Sequence, residues 1–182
     1  KTYLIKTICD MFPSKNIQVA ALTGCAAELL NDATTIHRWS GTGITRGAKE
    51  TIVSRIRKKK KYVRNWLKVD ILIVDEVSMM SVKYFEILDL LGKTIRKNDL
   101  PFGGIQIIFS GDFHQLPPVG SEAEPDTCKF CFESPLWNQT FKDTVVLNHI
   151  FRQRDPVFMK ILKQVRKGGI TKETFNILNK RI

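Results

Sequence analysis

Residues 69–77, VDILIVDEV, constrain the fold more than any other stretch. Ile71 to Val74 are apolar without a break, and two carboxylates, Asp75 and Glu76, follow at once. A strand with no polar face is covered on both sides, which is the situation of a parallel sheet flanked by helices. Parallel neighbours need crossover connections, so the rest of the chain is expected to alternate strand with helix. The pattern agrees. NIQVAALT (16–23), GIQIIFSGD (104–112) and DTVVLN (143–148) read as further strands. Helices are expected over 2–11, 25–32 and 48–67, and over 155–169, where Pro156 opens the first turn and glycines close the last. Another begins after Ser81, with Val82, Phe85, Leu88, Leu91 and Ile95 at three- and four-residue spacing. TTIHRWSGTG (34–43) reads as a glycine-punctuated loop. In α/β sheets ligands sit at the carboxyl ends of the strands, where both Asp75–Glu76 and Asp112–Gln115 fall.

The totals narrow the class. The 182 residues suit about one domain, and 43% hydrophobic content supplies a core. No apolar run approaches the ~20 residues needed to cross a bilayer, and no signal-peptide pattern opens the chain. The expected compartment is therefore intracellular, with nucleus, cytoplasm and mitochondrion all open. Cys128 and Cys131 could form half of a zinc site, but Cys9 and Cys25 provide no matching pair, so reduced, packed thiols are expected. A net charge of +11, from 29 basic and 18 acidic side chains, points to a polyanionic partner. The chain opens on Lys1–Thr2, with no methionine, directly before an apolar-periodic segment, and reads as a piece of a longer protein.

The candidate chemistry gathers at the strand ends. Successive strand side chains point to opposite faces, so Asp75 and Glu76 are suited to different tasks. One can support Mg²⁺ as in Walker-B phosphate chemistry, and the other can deprotonate a water. The bland alternative is an exposed acidic turn capped by Ser78. Lys1–Thr2 match the last two residues of G-x-x-x-x-G-K-[ST], where lysine reaches the phosphates and the hydroxyl binds Mg²⁺. Gln115 can feel a terminal phosphate, and Pro117–Pro118 stiffen the loop that would carry its movement onward. Arg152 suits charge developing on a transferring phosphoryl group, or else pairs with Asp155 on the surface or belongs to a simple polar linker. His37, Arg38 and Trp39 offer a donor, a cation and a stacking plane for a single strand, or else Trp39 is core and His37 caps a turn. The basic run RIRKKKKYVR (55–64) is open between a DNA-facing patch, an import-like cluster and a solvated helix face.

Five blocks in order carry a resemblance: KT at the start, AALTGCAAELL…TTIHRWSGTG (20–43), ILIVDEVSMM (71–80), IIFSGDFHQLPPV (107–119) and LNHIFRQRDPVF (147–158). Together they resemble the first motor domain of the Pif (petite integration frequency) helicases of superfamily 1. The resemblance spans essentially the whole chain, and VRKGGITKETFNILNKR (165–181) resembles the exit from that domain. It implies a RecA-like P-loop NTPase domain, partial and truncated at both ends, without its first strand and P-loop glycines. It implies ATP and Mg²⁺ as cofactors, with Lys1 on the phosphates, Thr2 and Asp75 on Mg²⁺, and Glu76 as general base. Gln115 would sense the γ-phosphate, and Arg152 would contact it. Thr23, Gly24 and His37 would lie along single-stranded DNA. The implied activity is 5′-to-3′ ATP-dependent movement by a monomeric motor completed by a second RecA-like domain. It would act in repair, recombination and telomere maintenance, on junctions or G-quadruplexes. A RecD-like or transposon-encoded helicase is the nearest alternative, and a nucleic-acid-binding module without hydrolysis the more distant one.

Overall fold

A computed structural model describes residues 1–30, 33–43, 45–151 and 153–180. The chain divides into two compact units, Lys1–Lys142 and Asp143–Ile182.

The first unit is built on a parallel sheet of four strands. In chain order these are β1 (Ile17–Ala21), β2 (Thr34–Thr35), β3 (Ile71–Asp75) and β4 (Gln106–Phe109), arranged in space as β2-β1-β3-β4. The apolar run therefore forms an interior strand, and every residue of β3 is buried. Its two faces serve two cores. Leu72 and Val74 join the larger cluster with Trp66, Phe85 and Leu88, whereas Ile71 and Ile73 join Ile5, Ala27 and Leu30. Each large aliphatic side chain so buried contributes on the order of 1.5–3 kcal/mol.

The smaller core lies under α1 (Thr2–Met11) and α2 (Gly24–Glu28), the helices that supply Ile5 and Ala27. The larger core is closed by α3 (Ile36–Ser40), α4 (Lys49–Arg57), α5 (Lys60–Lys68) and α6 (Val82–Arg96). The Ser81 hydroxyl caps α6 by accepting from the Tyr84 N–H at 3.2 Å, as its position before the apolar periodicity suggested. A short α7 (Trp137–Thr140) adds Trp137 to an aromatic group with Phe85, Phe109 and Phe141.

Three expectations need correction. Residues 34–43 are not a loop, because Thr34–Thr35 pair with β1 and the Thr35 hydroxyl then caps α3. The single helix expected over 48–67 is two, broken at Lys58–Lys59, where the backbone of Lys59 leaves the helical region (φ −101°, ψ 96°). Ile56 before the break and Trp66 after it are both fully buried. Residues 143–148 form no strand. Among the described residues they have no ladder partner, and Val145 and Val146 remain 81% and 70% exposed.

The second unit contains α8 (Pro156–Arg166) and α9 (Lys172–Asn179). The Asp155 carboxylate caps α8, accepting from Val157 N–H at 2.8 Å and Phe158 N–H at 3.2 Å. The Thr171 hydroxyl does the same for α9 through the Thr174 N–H. Lys160 and Glu173 join the two helices at 2.8 Å.

Candidate functional site

The strand register aligns the carboxyl ends of all four strands. Ala21 lies opposite both Thr35 and Asp75, and Val74 lies opposite Phe109. The chain leaves β1 beside Asp75, whose carbonyl accepts from the Leu22 N–H at 3.2 Å. It leaves β4 beside the turn after Glu76, where Val77 N–H donates to Ser110 carbonyl at 3.1 Å. Gly111 follows, and a Cβ there would meet Val77 Cγ2 at 2.9 Å and Val77 N at 3.0 Å. Glycine is what lets the Asp112–Gln115 segment start so close to the acidic turn.

Asp75 and Glu76 meet Lys1 at this edge. The Lys1 ammonium donates to Glu76 Oε1 at 2.5 Å and stands 3.4 Å from Asp75 Oδ1. Asp75 is 5% exposed, and its Oδ1 is buried without a hydrogen bond. An anionic oxygen so placed is costly unless a cation neutralises it. The donor chemistry therefore fits a hard divalent ion beside the lysine. Glu76 sits in the left-handed region (φ 57°, ψ 41°), a conformation that costs a non-glycine residue on the order of 1–3 kcal/mol. Nothing in the sequence announces this strain. It turns the second carboxylate out of the strand and toward Lys1.

The other expected residues are placed as follows. Thr2 begins α1 next to Lys1 and is exposed, with no hydrogen bond to Asp75 among the described residues. Gln115 lies on the loop from β4 with an exposed side chain, its N–H donating to Asp112 carbonyl at 2.9 Å. Pro118, three residues on, is buried and anchors the loop. Arg152 lies outside the described residues.

Thr23, Gly24 and His37 occupy the β1–β2 side of the same edge. The Thr23 hydroxyl caps α2 through the Ala26 N–H at 3.2 Å, and Gly24 has open space where a Cβ would be. His37 stacks on Tyr84 (centroids 4.3 Å apart, planes 2° apart), and burial holds its pKa below the usual value. Neutral at pH 7, it offers one N–H and one lone pair rather than a charge. Trp39 is not a stacking plane for a ligand: it is 6% exposed and packs on Trp66 at 4.9 Å. Arg38 alone of that trio is exposed.

Sequence reasoning did not foresee how α3 is held. Its last carbonyls are satisfied by the α4–α5 hairpin, Asn65 Nδ2 donating to Trp39 carbonyl (2.9 Å) and Trp66 Nε1 to Ser40 carbonyl (3.5 Å), and Arg55 Nη2 holds the Thr42 carbonyl just beyond the helix (3.2 Å). The thiols are also now placed. Cys131 is fully buried, donates to Val77 carbonyl and is pushed up to about 12 by desolvation, whereas Cys128 is exposed. No group of three or more His, Cys, Asp or Glu side chains with metal-holding geometry occurs among the described residues. No helix among them is long and apolar enough to cross a membrane.

A parallel sheet whose carboxyl edge gathers a lysine, a buried aspartate and a strained glutamate defines the class as a RecA-like α/β domain. The PIF1-like helicase family model matches residues 1–176, and the chain belongs to that family. The chain is 40% identical over 172 residues to the ATP-dependent DNA helicase PIF1 of Saccharomyces cerevisiae, covering 94% of this chain and 20% of that protein. The crystal structure of Pif1 helicase from Candida albicans superposes with TM-score 0.84 at 36% identity, covering 95% of this chain and 38% of that one. The Pif1 helicase from Bacteroides in complex with ADP-AlF3 and ssDNA gives 0.75 at 31%, covering 90% and 39%. The chain thus spans about a fifth of the yeast relative and under half of each crystallised one.

Proposed function

We propose that this chain is the nucleotide-hydrolysing part of an ATP-dependent DNA helicase, coupling hydrolysis of ATP to 5′-to-3′ movement along single-stranded DNA. The observation that carries the reading is the Lys1 ammonium held between Asp75 and Glu76 at the carboxyl end of an interior strand. Positioning and electrostatics account for most phosphoryl-transfer catalysis, and this site supplies both.

In this reading the Lys1 ammonium neutralises charge on the β- and γ-phosphates, assisted by the open N–H groups of the first turn of α1. Asp75, with Thr2, would hold Mg²⁺, which supplies further charge neutralisation when bound. Glu76 orients the attacking water and takes its proton as the water oxygen bonds to the γ-phosphorus and the bond to ADP breaks. Lys1 has two claims on it, since a triphosphate competes with Glu76 for the same ammonium. Phosphate binding therefore frees the base at the moment its water arrives. Gln115 reads the γ-phosphate and passes its loss to the loop stiffened by Pro117–Pro118. Arg152 adds a guanidinium to the same phosphate.

The strand partner is single-stranded DNA, with junctions and G-quadruplexes as structured substrates, along a path set by Thr23, Gly24 and His37. The solved Bacteroides relative in complex with ADP-AlF3 and ssDNA supports both ligands. The parent is a monomeric motor completed by a second RecA-like domain, with 1–182 as its partial first domain. It acts inside the cell in repair, recombination and telomere maintenance. The test is the ATPase activity of the full-length parent with and without oligo(dT), residues 1–182 alone being expected to be inactive. A motor shows Mg²⁺-dependent turnover raised by DNA. A binding module shows DNA affinity with no turnover under any condition.

A further inference from the structure

The loop that carries Gln115 is held at two points, and the sheet edge explains only the first. At its base Ser110 carbonyl accepts from Val77 N–H at 3.1 Å, and Gly111 lies against Val77. Beyond Gly111 the chain closes on itself. Asp112 accepts the His114 N–H on Oδ1 at 3.1 Å and the Gln115 N–H on its carbonyl at 2.9 Å. These bonds make 112–115 one stiff turn, so whatever orients one of its side chains orients the rest.

The second point is Phe113. Of the large apolar side chains here, Phe113 packs into the domain, whereas Leu116 is 69% exposed. Its ring meets Phe132 edge-on at 4.8 Å between centroids, Phe130 at 5.8 Å and Trp137 at 6.1 Å. Phe130 and Phe132 stack on each other at 5.2 Å, with planes 11° apart. Edge-to-face packing fixes the direction of a ring as well as its distance.

The backbone around those rings leads back to the acidic turn. Lys129 carbonyl accepts from Val82 N–H at 3.1 Å, and Cys131 N–H donates to Met80 carbonyl at 3.0 Å. The buried Cys131 thiol donates to Val77 carbonyl, and the Ser134 hydroxyl donates to Glu86 of α6 at 2.8 Å. Segment 129–134 is thus fastened to residues 77–86, which begin immediately after Glu76. One support holds both the turn behind that carboxylate and the turn bearing Gln115. A loop attached only at Gly111 would swing about its base, and a second contact removes that freedom. Core formation alone does not account for the arrangement, since Phe132 stays 41% exposed.

We infer that Phe113 is a positioning residue for ATP hydrolysis: through Phe130 and Phe132 it holds Gln115 at a set distance and direction from Glu76. Phe113 acts through Gln115, and its assignment rests on the roles proposed above for Glu76 and Gln115.

The test is a double-mutant cycle in the full-length parent, reading DNA-stimulated ATP turnover and KM for ATP, with circular dichroism to confirm that each variant is folded. A displacement of about 1 Å at a group near the reacting phosphate costs up to about 100-fold. Phe113→Ala is therefore expected to lower kcat roughly 10- to 100-fold with KM unchanged. Phe113→Met, whose thioether still packs on aromatic rings, should recover most of that loss. Phe132→Ala removes the nearest ring from its exposed side and should lower kcat in the same direction, which keeps the test decisive if Phe113→Ala fails to fold. In a Gln115→Ala background Phe113→Ala should cost less than about twofold more, because the glutamine it aims is already gone. Losses that multiply in that background, a rise in KM as large as the fall in kcat, or wild-type turnover in both alanine variants would overturn the inference. A parent without DNA-stimulated turnover would overturn the hydrolytic reading and this assignment with it, a result distinct from any pattern among the variants.

Discussion

Single residues carry several consequences that can be measured separately. Glu76 combines a left-handed backbone with a 2.5 Å bond to Lys1, a strain located where a reacting water would be held. Asp75 is the complementary case, unstrained but buried, with an oxygen that accepts no hydrogen bond and has only the Lys1 ammonium, 3.4 Å away, to offset its charge. Its amide, Asp75→Asn, should leave the fold intact and weaken the Mg²⁺ dependence of nucleotide binding at least tenfold, measured by titration with a fluorescent ATP analogue. His37 gives a pH signature. Unfolded histidine titrates near 6.5, and burial against Tyr84 lowers the folded value, so the unfolded state binds more protons as pH falls. Stability is therefore full above about pH 6.5 and declines below it. His37→Phe, which keeps a ring on Tyr84, should flatten that decline in urea unfolding from pH 7.5 to 5. Cys131, buried with its thiol pushed up to about 12, should resist iodoacetamide while exposed Cys128 reacts, as read by mass spectrometry of the native protein.

At the scale of elements, the fit between α3 and the α4–α5 hairpin explains both what the sequence revealed and what it concealed. β3 and α6 were legible because their patterns are local: an unbroken apolar run, and a three-four spacing behind a serine cap. α3 was concealed because five residues are too few to show periodicity. Its signals were a threonine just before it and a glycine just after it, and Gly41 is indeed left-handed at φ 80°. The break between α4 and α5 was illegible because the run of lysines holds no glycine or proline to mark it. Residues 143–148 mislead for the opposite reason: β-branched composition proposes a strand, but a ladder needs a neighbour. Gly41→Ala tests the α3–hairpin fit directly. A Cβ there strains the positive φ and strikes Tyr62, so unfolding stability should fall by about 1–3 kcal/mol, with the loss seen in denaturant midpoint.

The molecule as a whole sets its chemistry at one sheet edge. β3 delivers Asp75 and Glu76, α1 delivers Lys1, the β4 exit brings in the loop of Gln115, and the β1–β2 side holds Thr23, Gly24 and His37. The residue types at the acidic edge were legible because chemistry restricts them. Their mutual geometry was not, because it depends on strand order and on a backbone angle no pattern encodes. The net charge of the whole chain, +11, suits a polyanionic partner. The central claim is that Glu76 is the base for an attacking water and not a structural partner of Lys1. It is tested most directly by Glu76→Gln in the full-length parent, comparing DNA-stimulated ATP turnover with ATP affinity in one preparation. A general base is worth about 10²–10⁴-fold, so turnover should fall at least a hundredfold while the ATP dissociation constant stays within about threefold. Turnover that survives the substitution, or affinity that collapses with it, would contradict the account.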